Sequence, residues 1–132
     1  MEKKFINPPE INKPRGYTHA VTVEGGRMVF IAGQIALNLN GEVVGKGDLR
    51  AQAQQAWLNL AAALKAAGAT LADLVKINTY VVNPKADDIR IVREVRSQVM
   101  TGDNLPASTL VGVSALAVEG LLIEIEGVAV VR

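Results

Sequence analysis

The sequence predicts an α+β fold in the order ββαβαββ: one mixed sheet with two helices on one of its faces. Three observations carry this prediction. Apolar and polar residues alternate across 17–24 and 121–131, as in half-buried strands. Apolar residues recur at helical spacing across 49–67, and a second helical stretch follows Pro84. Between the two helical stretches, 74–82 (LVKINTYVV) is rich in β-branched residues.

Taken in chain order, residues 1–14 hold Pro8, Pro9 and Pro14 among polar neighbours and read as an extended N-terminal arm. Residues 15–132 read as a single domain. In 17–24, Tyr17, His19, Val21 and Val23 share one side of a strand, and Thr18, Ala20 and Thr22 the other. Gly25-Gly26 predicts a hairpin turn, because glycine accepts positive φ, and 28–32 is the returning strand. Residues 38–47, rich in Asn and Gly, predict a loop with a short hairpin at Asn40-Gly41. Asp48 is placed to cap the first helix, whose Leu49, Ala53, Ala56, Leu60, Ala63, Leu64 and Ala67 form an apolar stripe, with Gln52, Gln55, Asn59 and Lys65 on other faces. Gly68 stops it. Asn83-Pro84 reads as the start of the second helix, which runs to about Met100, with Asp87 and Asp88 early and Arg93 and Arg96 late, as the helix dipole favours. Two strands follow, at 108–114 and 121–131.

The last strand has a consequence for assembly. Leu121, Ile123, Ile125, Ala129 and Val131 share one face, while Leu122, Val128 and Val130 share the other with Glu124 and Glu126. Two helices cover one face only, so the second is expected to pack against further copies of the chain.

Composition narrows the function. The 132 residues are 49% hydrophobic but only 4% aromatic, with no cysteine and a net charge of +1 from 14 basic and 13 acidic residues. Balanced charge and five scattered aromatics give no platform for nucleic acid. A lone His19 and no cysteine argue against zinc or iron–sulfur chemistry. The first residues lack the apolar run of a signal peptide, and 104–118 is too short and polar to cross a membrane. A cytoplasmic protein without a metal or other cofactor is the expectation.

Few side chains are placed to do chemistry. Glu124 and Glu126 project from one strand face about 7 Å apart. Burial there would raise a carboxyl toward neutrality and suit it to proton transfer; a wet edge or an interface ion pair is the structural alternative. An unperturbed imidazole can act as acid or base near neutrality, but His19 has no Ser–Asp partners at triad spacing. Gly33-Gln34 after an apolar strand can present backbone N–H groups. Arg90, Arg93 and Arg96 line one helix face, which reads as solvated or ion-paired.

In order along the chain stand AGQIALN (32–38), Gln54…Asn59 with its AAGAT exit (66–70), VKINTYVVN, the LPAS turn (105–108) and IEIEGVAVV. This series resembles the RidA/YjgF family, formerly called L-PSP endoribonucleases, over 17–131. The resemblance implies a chorismate-mutase-like homotrimer with small-molecule pockets between neighbouring subunits. For the deaminase branch it implies cofactor-free hydrolysis of enamines and imines to ammonia and a 2-oxo acid.

Carried over residue by residue, the resemblance makes Glu124 the water-positioning or proton-shuttling acid. Tyr17, Gly33 and Gln34 match the family's pocket residues. Ala32 stands where the family's pocket serine is usual. Ser108, after Pro106 and Ala107, stands where an arginine clamps the substrate carboxylate, so the chain resembles an arginine-lacking branch. With His19 and Thr109, Ser108 is expected to line a polar, neutral pocket, unless Arg15 or Arg93 reaches it. Metabolite binding without turnover is the alternative to hydrolysis, and RNA cleavage a third reading that the charge balance disfavours.

Overall fold

The computed structural model describes all 132 residues. In chain order the elements are β1 (Glu2–Ile6), β2 (Ala20–Glu24), β3 (Arg27–Gln34), α1 (Leu49–Ala66), a 3-10 turn (Leu71–Asp73), β4 (Leu74–Val82), α2 (Ala86–Val99), β5 (Ala107–Val113) and β6 (Ile123–Val131). Four strands form one mixed sheet in the order β3-β6-β4-β5, antiparallel except for the β4–β5 pair. Both helices pack on one face of it, as the sequence predicts.

The covered face is sealed by α1 and α2. Ala53, Ala56, Leu60 and Leu64 of α1 and Val95 of α2 are fully buried against Ile77, Val81, Ile123, Ile125 and Ala129 of the sheet. Each buried Leu or Ile stabilises the fold by about 1.5–3 kcal/mol. Asp48 caps α1 by accepting from the Ala51 N–H at 3.0 Å, and Gly68 ends it with φ +77°. The short hairpin at Asn40-Gly41 is present, bridged by Leu37 and Val43.

Five local expectations are corrected. The strand expected over 17–24 begins only at Ala20. The Thr18 N–H donates to the Pro106 carbonyl at 3.1 Å, so Tyr17 and His19 lie in a bend tied to the start of β5. The N-terminal arm contains a strand, β1, which pairs antiparallel with β2 from Glu2↔Glu24 to Ile6↔Ala20. Gly25 and Gly26 do turn, with φ +74° and +88°, but the strands they join lie in different sheets. The β3 edge is therefore unpaired within the chain, with Phe30 72% exposed on the open face. The second helix starts two residues late: the Lys85 N–H is capped by the Asp88 carboxylate at 2.9 Å, and Asn83 ahead of it takes φ +40°.

Gln52 is the fifth correction. It is fully buried. Its amide donates to the Gly45 and Gly120 carbonyls at 3.2 and 2.9 Å and accepts from the Leu122 N–H at 2.8 Å. A buried amide with three of its bonds made holds its surroundings firmly, and leaving those partners bare is costly.

Glu94 joins the two helices, 2.7 Å from Arg50 and 2.8 Å from Arg90. Hydrogen bonds from Arg50, then from Arg90, hold its carboxyl below the ordinary value of 4.5. A depressed folded value makes the contribution complete above 4.5 and lost as pH falls through the folded value. Thermal melting of Glu94→Gln should therefore fall below wild type at neutral pH, and the gap should close on acidification. A gap that persists in acid would show that the ion pairs do not set it.

Candidate functional site

The expected site residues fall into two groups on opposite faces of the sheet. On the open face, β6 presents Glu124 and Glu126 opposite Tyr80 and Asn78 of β4. The Tyr80 hydroxyl donates to Glu126, and Asn78 donates to the same oxygen at 3.2 Å. The bond to Glu126, with burial and the Glu126 and Glu124 charges, pushes the Tyr80 hydroxyl above its usual 10.0. Glu126 is thus held by two donors. Glu124 makes no side-chain hydrogen bond or ion pair in the chain and is the available carboxylate of the two.

Gly33 explains how Glu124 fits. A Cβ at position 33 would lie 2.2 Å from Glu124 Oε2 and 2.6 Å from its carboxyl carbon. The carboxylate therefore rests against bare backbone. Gln34 follows, paired with Ile125 across a bulge in β3, and Ala32 opens beside it into a hollow of ≈ 300 Å³ shared with Phe30, Lys76, Asn78 and Glu126. Thr109 belongs to this face too, where Lys76 Nζ donates to its hydroxyl at 2.8 Å.

Ser108 lies on the other face. It pairs with Ile77, whereas Glu124 pairs with Tyr80. Two strands and three residues separate them, on the order of 14 Å. Ser108 lines a small pocket of ≈ 180 Å³ with Tyr17, Leu110, Arg15, Arg93 and Arg96. The pocket is cationic, which corrects the expectation of a neutral one. Arg90 is ion-paired with Asp87 and Glu94, but Arg93 and Arg96 turn toward Ser108, so the three arginines do not act as one face. Arg96 escaped sequence reasoning as a site residue; its helical spacing to Arg93 was the only signal.

His19 stands apart from this pocket. Its ring meets Tyr17 edge-on with centroids 5.3 Å apart. Its Nε2 lies 2.6 Å from the Asn12 carbonyl and its backbone N–H donates to Asn7, so it fastens the arm. Pro106 is buried, with its carbonyl engaged by Thr18, and Ala107 begins β5. A cleft of ≈ 720 Å³ runs beneath the Pro-rich arm beside Tyr17 and Gly102 and contains neither Glu124 nor Ser108. No three His, Asp or Glu side chains converge on a metal-sized site. No helix is long and apolar enough to cross a membrane.

Comparison with known proteins agrees with this architecture. The family model described as Endoribonuclease L-PSP matches residues 9–131. A 2-iminobutanoate/2-iminopropanoate deaminase of Dermatophagoides farinae is 33% identical over 98% of both chains. A RutC family protein of Pyrococcus abyssi is 37% identical over the same shares. Among solved structures, YyfB of Yersinia pestis, a protein of unknown function of the Rid family, is 43% identical with a TM-score of 0.92, covering 99% of this chain and all of the other.

The close approach at Gly33 has a measurable counterpart. In a double-mutant cycle, Gly33→Ala should destabilise the wild type more than it destabilises Glu124→Ala, by about 0.5–3 kcal/mol. Equal losses in denaturant unfolding would show that the two positions do not press on one another.

Proposed function

The chain belongs to the RidA/YjgF family, the endoribonuclease L-PSP family of the matching model, and from that premise we propose that it is a cytoplasmic homotrimer binding a small metabolite in pockets between subunits. The observation that carries this reading is the separation of the two residue groups. Tyr17 and Ser108 lie on one side of the sheet, and Gly33, Gln34 and Glu124 on the other. A single copy cannot bring them around one ligand, whereas neighbouring copies can. The open face supports the same assembly, with Phe30, Met28 and Val111 exposed on it.

In that pocket the reaction is hydrolysis of an imine, or of the enamine after tautomerisation. Water adds to the imine carbon while Glu124 takes one of its protons. Glu124 passes that proton to the nitrogen, giving a carbinolamine; the carbinolamine's hydroxyl proton then follows to the nitrogen, the C–N bond breaks, ammonia leaves and the carbon becomes a carbonyl. Glu124 suits the role because no neighbour in its own chain occupies it, whereas Glu126 is committed to Tyr80 and Asn78. No cofactor enters this scheme.

Ser108 favours a second reading, metabolite binding without turnover, because a neutral hydroxyl cannot replace an ion-paired clamp. RNA cleavage fits least: a net charge of +1 and dispersed aromatics offer neither phosphate contacts nor stacking.

Gel filtration should give a particle of about 42 kDa, three chains of 14.0 kDa. Ammonia release from imines generated in situ from a panel of amino acids should be accelerated. Glu124→Gln should slow it about 100-fold or more, since positioned proton transfer contributes on that scale. No acceleration across the panel would overturn hydrolysis and leave the binding reading in place.

A further inference from the structure

Arg15, Arg93 and Arg96 all line the pocket beside Ser108. None of them has a carboxylate within ion-pair distance, although the chain's other close ion pairs are all formed elsewhere, at Lys4–Glu2, Arg50–Glu94 and Arg90 with Asp87 and Glu94. None of the three makes a side-chain hydrogen bond within the chain. Three like charges beside one small pocket, with no internal counter-charge, repel one another, and a structure maintains such an arrangement at a cost unless an anion occupies it.

The Arg96 guanidinium is the most confined of the three. Gly16, with φ +77°, leaves room for it: a Cβ there would lie 2.5 Å from Arg96 Nη2. The bend from Arg15 to Tyr17 thus wraps the guanidinium and aims it into the pocket. Burial, followed by the Arg93 charge, lowers the Arg96 guanidinium from its usual value, so it has shed water that a ligand oxygen would replace. Two hydroxyls complete the lining. Ser108 has no partner in the chain, and the Tyr17 hydroxyl accepts from Asn12 and keeps its own proton to donate.

We propose that Arg15, Arg93 and Arg96, with the hydroxyls of Ser108 and Tyr17, form a carboxylate-binding pocket that takes the place of a single arginine at position 108. The proposal rests on the reading of the chain as a metabolite-binding RidA-type protein and names the class of ligand: small carboxylates. Guanidinium forks match a planar carboxylate through paired N–H···O bonds. A volume of ≈ 180 Å³ holds roughly six waters at about 30 Å³ each, which suits a head group on the order of four carbons. The carbon bearing the C=N bond would then extend from this pocket toward the neighbouring subunit.

The test is calorimetric titration of the full-length protein with pyruvate and with pyruvamide, its uncharged amide. Pyruvate should bind, weakening as salt is raised, and pyruvamide should bind at least about 10-fold less well. Arg93→Gln and Arg96→Gln should each weaken pyruvate about 10- to 100-fold, the scale of a lost charged hydrogen bond. Because Arg96 is confined and its variant could unfold, Arg15→Gln and the exposed Arg93→Gln provide the same test, with circular dichroism confirming the fold of each. Equal affinity for acid and amide, no binding of either, or pyruvate affinity unchanged in all the folded arginine variants would overturn the proposal. Glu124→Gln separates the two readings. If imine turnover depends on Glu124 but its KM ignores the arginines, the pocket assignment fails and hydrolysis stands. If pyruvate binding follows the arginines while no imine is turned over, hydrolysis fails and the pocket stands.

Discussion

The alternation of β6 is the constraint on which the molecule depends. Ile123, Ile125 and Ala129 are sealed under α1 and α2, and the strand pairs with a neighbour along each edge, β3 on one side and β4 on the other. A one-residue slip of this strand would exchange its faces, sending two glutamates into the core and the aliphatic residues into solvent. Register, core and the position of Glu124 are therefore fixed together. The period-two pattern that buries the aliphatic residues also delivers the glutamates, two residues apart, to the uncovered face.

The two glutamates illustrate how context divides chemically identical groups. Each faces β4, yet the residue opposite Glu126 and its diagonal neighbour are an asparagine and a tyrosine that both donate to it. Glu124, one step along, meets the bare backbone of Gly33 instead. One carboxylate is consumed in holding the sheet face together, and the other is kept free. The sequence spacing that singles out the pair could not distinguish its members, because the distinction comes from a strand some 45 residues away.

Much of the fold was legible because local chemistry and long-range packing agree. Asp48, Gly68, the apolar stripe of α1 and the β-branched run of β4 each specify their element without reference to distant residues. The misreadings occur where a distant partner decides. β2 is shortened by the hydrogen bond from Thr18 to Pro106, and the arm becomes a strand because β2 offers it an edge. Gln52 reads as a solvent-facing polar residue until the loops it bonds are placed around it. The candidate site was legible one residue at a time but not as a geometry. Tyr17, Gly33, Glu124 and Ser108 are recognisable in sequence, while their division between two faces, and the turn of Arg93 and Arg96 toward Ser108, follow only from register and packing.

The buried amide of Gln52 also governs where the chain can change length. Its three bonds reach Gly45, Gly120 and Leu122, which belong to two loops far apart in sequence. An inserted or deleted residue between Asp48 and Gly45, or between Gly120 and Leu122, would move a carbonyl or N–H out of the amide's reach. The tips of the same loops, around Asn40 and around Glu119, are exposed and free of this tie. Length variation is accordingly directed to those tips, which lets the loop rims be remodelled while the helix and the last strand stay in step.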